Sequence, residues 1–140
     1  MATKRESILQ AVMNALTGTT GVGTRIYRNR SEPLARNETP ALMVTSELDT
    51  PEEHVLGIHT RELDFTLSVF VRGNSPESLA DPVVESMHSK IMADTTLGGL
   101  ALDLNAGPTK FDFIEADMPA GIVSSRYTIT YRTQVNSLSA

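Results

Sequence analysis

The run TRELDFTLSVFVR, residues 60–72, leaves one local structure open to it. Leu63, Phe65, Leu67, Val69 and Val71 alternate with Glu62, Asp64, Thr66, Ser68 and Phe70. Successive side chains of an extended chain point to opposite faces. Period two over this length therefore specifies a strand with one dry face and one wet or partner-facing face. An antiparallel sheet accommodates that division, because it can leave one face to water. The dry face needs a covering layer. Phe70 interrupts the polar side and is a candidate contact residue.

The cover is legible as two helices. SILQAVMNAL puts Ile8, Leu9, Val12, Ala15 and Leu16 on one stripe at steps of three and four. Thr3 followed by Glu6 has the spacing of a capping box, and Gly18 suits a helix end. This predicts a first helix over 5–17. The second is predicted over 75–93, with Asn74 or Ser75 as cap and Pro76 at the first helical position. Its apolar stripe is Ala80, Val83, Val84, Met87, Ile91 and Met92. Pro82 lies inside that stripe, so a kink or a restart capped by Asp81 is expected there.

Other segments extend the sheet. TRIYRN (24–29) reads as a short strand and PALMVTSEL (40–48) as a longer one. DTPEEHVLGIH (49–59) reads as a long acidic loop holding an apolar patch. Residues 95–108 read as an irregular connection. TKFDFIEAD (109–117) and IVSSRYTITYRTQV (122–135) alternate again, the latter with Val123, Tyr127, Ile129 and Tyr131 on one side. A short turn at 119–121 makes them a hairpin over 109–135. The tail NSLSA looks loose. The expected fold is α+β, a single domain over 1–140 in the order α-β-β-β-α-β-β. One four- to five-stranded, mainly antiparallel or mixed sheet carries two helices on one face.

GTTGVGT (18–24) invites a phosphate-loop reading, and the residues refuse it. A Walker-type loop runs from a strand into a helix and ends in Lys-Ser/Thr. Here Gly23 is followed by Thr24 and Arg25. The loop also leaves a helix C-terminus, where the dipole disfavours anions. It reads as a flexible helix-to-strand connection.

Little else suggests catalysis. The chain has no cysteine, which excludes disulfides, thiol chemistry and thiolate metal sites. His54 and His59 stand five apart beside Glu52 and Glu53, a spacing that matches no helical or tight-turn ligand pair. His88 falls among polar helix residues and reads as solvated. No serine sits in a nucleophile elbow, and the paired acids have no apolar setting to raise a pKa. With no Trp and seven Phe and Tyr together, neither a deep aromatic pocket nor a single-strand stacking platform is supplied. No run of about 18 apolar residues exists to span a membrane. MATKRESILQ has no apolar core of the signal-peptide kind, and the absence of cysteine makes a cytosolic origin the simplest expectation.

Charge is polarised. Residues 1–36 hold six Lys/Arg against two acids, and 37–140 hold six against fifteen, giving +4 and −9. Such a split supports self-association, basic end against acidic face. A net charge of −5 disfavours a dedicated nucleic-acid binder.

The order of segments resembles a known family. A leading helix, PALMV, an acidic loop, RELDFTLSVFV, a helix opening SPESLADPV, then TLGGLALDL (96–104) and SSRYTITYRT (124–133) are together similar to the tail terminator proteins of long-tailed bacteriophages. These form the minor tail protein U family of lambda-like phages. The resemblance runs over residues 5–133. It implies an α+β sandwich of a sheet and two helices. It also implies a homohexameric ring that caps the tail tube, stops its polymerisation and offers a docking surface to the head connector, with DNA passing through the lumen. No enzyme activity and no cofactor are implied. The partners implied are the chain itself, the tail tube protein and the neck connector, in the virion and, during assembly, in the bacterial host cytoplasm. Two sets of residues are the expected contacts. Glu52, Glu53, His54, Val55, Leu56 and Ile58 would meet the tube or a neighbouring subunit. Arg25, Arg28 and Arg30 would pair with acids across the subunit interface. Alternatives are another neck component, such as a head-tail adaptor or tail completion protein, or a small ligand- or metal-binding domain.

Overall fold

The structure, a computed structural model, describes residues 3–28, 40–114 and 119–139. The side chains of His54 and Ile114 lie outside that description. Its elements run α1 (Lys4–Ala15), β1 (Ile26–Arg28), β2 (Ala41–Val55), β3 (Ile58–Arg72), α2 (Pro76–Ile91), β4 (Asp103–Ile114) and β5 (Ala120–Gln134). This is the α+β order read from the sequence. The five strands form one mixed sheet in the order β1-β2-β3-β5-β4. Among the described residues only β1 and β2 pair parallel.

The alternation of residues 60–72 sets the layer. In β3, Leu63, Phe65, Leu67, Val69 and Val71 are buried and the residues between them are not. Partners in register share a face. Leu63 faces Ile129, Phe65 faces Tyr127 and Val69 faces Val123. That face receives Ile8, Leu9 and Val12 of α1 and Ala80, Val83, Met87 and Ile91 of α2. Phe65 and Tyr127 stack with centroids 5.8 Å apart, an offset pairing that adds to the burial.

The helix signals act as expected, with three differences. Thr3 caps α1, its hydroxyl accepting from the Glu6 amide at 3.1 Å. The Glu6 carboxylate does not return to the cap and reaches Arg28 instead. In α2, Pro82 neither breaks nor restarts the helix, which runs on to Ile91. Proline costs a helix the amide bond to the carbonyl four residues back. That carbonyl belongs to the exposed Ser78, where water can serve it. Ser75 precedes α2 in the left-handed region, φ 59°, with no side-chain capping bond.

Two segments read as irregular are strand. Residues 49–59 are the distal half of the β2–β3 hairpin: Asp49 pairs with Leu63, Thr50 with Glu62 and Val55 with Ile58. The register slips between Ser46 and Leu48 and again between Glu52 and Val55; Pro51 stays in register with Arg61, on a stretch of β2 that β1 does not pair with. β4 begins at Asp103 rather than near 109, crossing Gly107 and Pro108 by a bulge between Ala106 and Thr109. The tail is also tied down. The Lys4 amide donates to the Leu138 carbonyl at 2.8 Å, and Lys4 Nζ to the Arg132 carbonyl at 3.0 Å.

Candidate functional site

The β2–β3 hairpin carries Leu56, the most exposed large apolar side chain among the described residues. It turns at Leu56 and Gly57. The positive φ of 82° falls on glycine, which has no Cβ to strain it. Leu56 is 92% exposed and Val55 51%. Glu52 and Glu53 are exposed, and Ile58 is half-buried at the start of β3. Val135 lies alongside, its amide donating to the Gly57 carbonyl at 3.0 Å. So Glu52, Glu53, Val55, Leu56 and Ile58 do come together, on a hairpin end rather than a loop.

The hairpin is anchored by a polar cluster at its base. Asp49 accepts from the Tyr131 hydroxyl at 2.5 Å and from Arg5 at 2.9 Å. Arg61 lies 3.8 Å from the same carboxylate and donates to the Thr133 hydroxyl at 3.0 Å. The Asp49 and Arg61 side chains are 9% and 11% exposed. Burial and the Asp49 charge both push the Tyr131 hydroxyl pKa well above its ordinary value. The cluster ties α1, β2, β3 and β5 at one point. Nothing in the sequence pattern marked it, because Arg5 and Tyr131 lie 44 and 82 residues from Asp49.

The basic candidates divide. Arg28 grips Glu6 through two nitrogens, at 2.5 and 3.0 Å. Hydrogen bonds from Arg28 and Gln10 hold the Glu6 carboxyl down at about 2. The same contact raises Arg28. Arg25 donates to the carbonyls of Pro40 at 2.8 Å and Gly21 at 2.9 Å. Arg30 lies outside the described residues.

The glycine loop is built as a connector. Val22 is fully buried, the Thr19 hydroxyl donates to the Leu16 carbonyl at 2.6 Å, and the Thr20 amide goes to the Ser86 hydroxyl. Those donors are taken up within the fold. His88 is exposed, as its polar setting predicted, but its Nδ1 lies 2.8 Å from the Tyr127 hydroxyl. Burial pushes that hydroxyl up to about 12. Among the described residues no three His, Asp or Glu side chains are placed to hold a metal. His59 Nδ1 is buried without a partner there.

Two further surfaces were not read from the sequence. The sheet face away from the helices is polar. Thr45, Glu47, Thr66, Ser68, Ser124 and Arg126 line a shallow hollow of about 510 Å³. On the helix side, β4 is an edge strand whose Phe111 and Phe113 are half exposed. Alongside it, α2 carries Glu77, Asp81 and Glu85, all exposed. The four-residue spacing of those acids was the available signal.

No protein-family model and no curated protein matches the chain. Among solved structures it is similar to a chain in the virion of a native gene transfer agent particle. The TM-score is 0.50, with 16% sequence identity over 91% of this chain and 92% of that one. The likeness is one of fold, and it takes in nearly the whole of both chains.

Proposed function

We propose that this chain is a structural virion protein that acts as a tail terminator. Six copies close into a ring that caps the tail tube, halts its polymerisation and receives the head connector, and DNA passes through the lumen. The observation that carries this reading is the near end-to-end likeness in fold to a virion chain. The order of sequence segments supports it independently. The hairpin end supplies a tube contact in Val55 and Leu56, exposed apolar groups on a braced support. Arg25, Arg28 and Arg30 serve the subunit interface. The net charge of −5 suits a ring that lets DNA slide, because a lumen without a basic surplus gives phosphates no hold.

The test is light scattering of the purified chain over a concentration range, with negative-stain images, alone and with assembled tail tubes. Six times the 15.2 kDa chain mass, ring-shaped particles and capped tube ends are expected. Rings that bind the head connector and ignore tube ends would make the chain another neck component. A chain that remains monomeric even on tubes would overturn the reading.

A further inference from the structure

The two edges of the sheet are built to meet. Between α2 and β4 runs a groove of about 260 Å³, lined by Ala80, Val84, Phe111 and Val123 with Glu77 and Asp81 on its rim. Glu85 continues the acidic stripe one turn further. None of the three carboxylates has a hydrogen bond or ion pair among the described residues. An apolar floor beneath unpaired acids selects an apolar side chain carried next to a cation.

The opposite edge carries that pair. In β1, Ile26 and Arg28 are in register with Leu42 and Val44, which places both on the helix side of the sheet. Phe111 and Thr109, in register with Val123 and Ser125, are on the same side of β4. Strand direction also agrees. β1 runs parallel to β2, and the pairs β2–β3, β3–β5 and β5–β4 are each antiparallel, so β1 runs opposite to β4. A second copy laid beside the first in the same orientation therefore brings its β1 antiparallel to β4. Antiparallel pairing is the more stable kind, and it satisfies edge groups that otherwise invite uncontrolled pairing.

We propose that the β4–α2 groove of one subunit receives β1 of the next copy of this chain, in the register that sets Ile26 across from Phe111. That register sets Arg28 across from Thr109, within reach of Asp81, and Arg25 across from Asp112 on the other face. Arg28 stays bound to Glu6 through two of its five N–H donors, and the other three have no partner among the described residues. The contact joins two different surfaces, so it is heterologous and propagates until it closes. Its closure at six rests on the ring reading above. The pairing itself does not.

The absence of cysteine makes the test clean. Thr24→Cys sits beside β1 and Phe113→Cys on β4, across from each other in this register. Each single variant treated with a short bis-maleimide should stay monomeric on a denaturing gel. An equal mixture at millimolar chain should give a dimer, and the double variant a ladder. Adding Glu77→Lys and Asp81→Lys should abolish the ladder, and Arg28→Glu on top should restore it. Circular dichroism checks that each variant is folded. Cross-linking of Phe113→Cys to itself would mean a two-fold β4–β4 contact and overturn the proposal, as would no product from the mixture. A ladder from protein that fails to cap tubes keeps the pairing and removes the terminator. Capping without a ladder does the reverse.

Discussion

Replacing Asp49 by alanine should unsettle the protein more than any other single charge removal. The carboxylate is 9% exposed and carries bonds from Tyr131 at 2.5 Å and Arg5 at 2.9 Å. The Arg5 contact is worth little, because that side chain is 38% exposed and solvent screens it. The Tyr131 bond to a buried charge is worth about 1.5–3 kcal/mol. Arg61, 11% exposed, would lose its nearby countercharge, although it keeps the Thr133 hydroxyl at 3.0 Å. Removing one member of a buried pair typically costs about 3–5 kcal/mol. The 3.8 Å separation here argues for the low end, about 3 kcal/mol in all. For a domain of this size that lowers Tm by roughly 10 °C. Thermal unfolding by circular dichroism measures it. Asp49→Asn keeps an acceptor for Tyr131 and should lose about half as much. Asp49→Leu with Arg61→Met should recover most of the loss, since a buried pair replaced by apolar groups is often neutral. A change below about 0.5 kcal/mol for Asp49→Ala, the size of an ordinary surface substitution, would refute the brace. So would strict additivity of the two single losses.

Other expectations follow from single contacts. Leu56→Asp, at a 92% exposed position, should leave Tm within a few degrees and abolish tube capping in a sedimentation assay; intact capping removes the hairpin contact. The Tyr127 hydroxyl titrates at about 12 folded and near 10 unfolded, so its stabilisation is complete below pH 10 and is lost as pH rises towards 12. Tyr127→Phe should flatten that alkaline limb in denaturant titrations, and an unchanged limb would contradict the assignment. Glu6 is depressed to about 2, so its contribution is present above pH 4.5 and disappears as pH falls towards 2. Glu6→Gln should flatten the acid limb in the same titrations. Gly121→Ala would place a Cβ 2.7 Å from Pro76 Cβ and 3.3 Å from the Phe113 ring. The start of α2 must then move, at about 1–3 kcal/mol by chemical denaturation.

The sheet core was legible because period two survives in β3 and β5, where one face is dry along its length. Residues 49–59 were not, because Asp49, Pro51, Glu52 and Glu53 oppose strand structure locally. They are held by pairing to β3 and by a carboxylate whose partners sit in α1 and β5. No window of sequence contains those partners. β4 was shortened for a similar reason: Gly107 and Pro108 read as loop punctuation but lie in a bulge. Of the contact residues, Val55 and Leu56 could be found as an apolar patch among acids. Arg28 could be found as a cation but not as the partner of Glu6, 22 positions away. The groove beside β4 needed the strand order, because it joins a helix stripe to an edge that only topology exposes.

β3 lies at the centre of the sheet, and all fifteen of its residues pair with β5. The strands are distant along the chain, with Leu63 opposite Ile129 and α2 and β4 intervening. Closing so large a loop costs entropy before any pairing compensates it. High contact order of this kind slows folding towards the millisecond-to-second range. Until β5 arrives, the β2–β3 hairpin shows its apolar face to other chains. A newly made chain therefore passes through an interval in which the strand that later anchors the core is open to pairing with other chains.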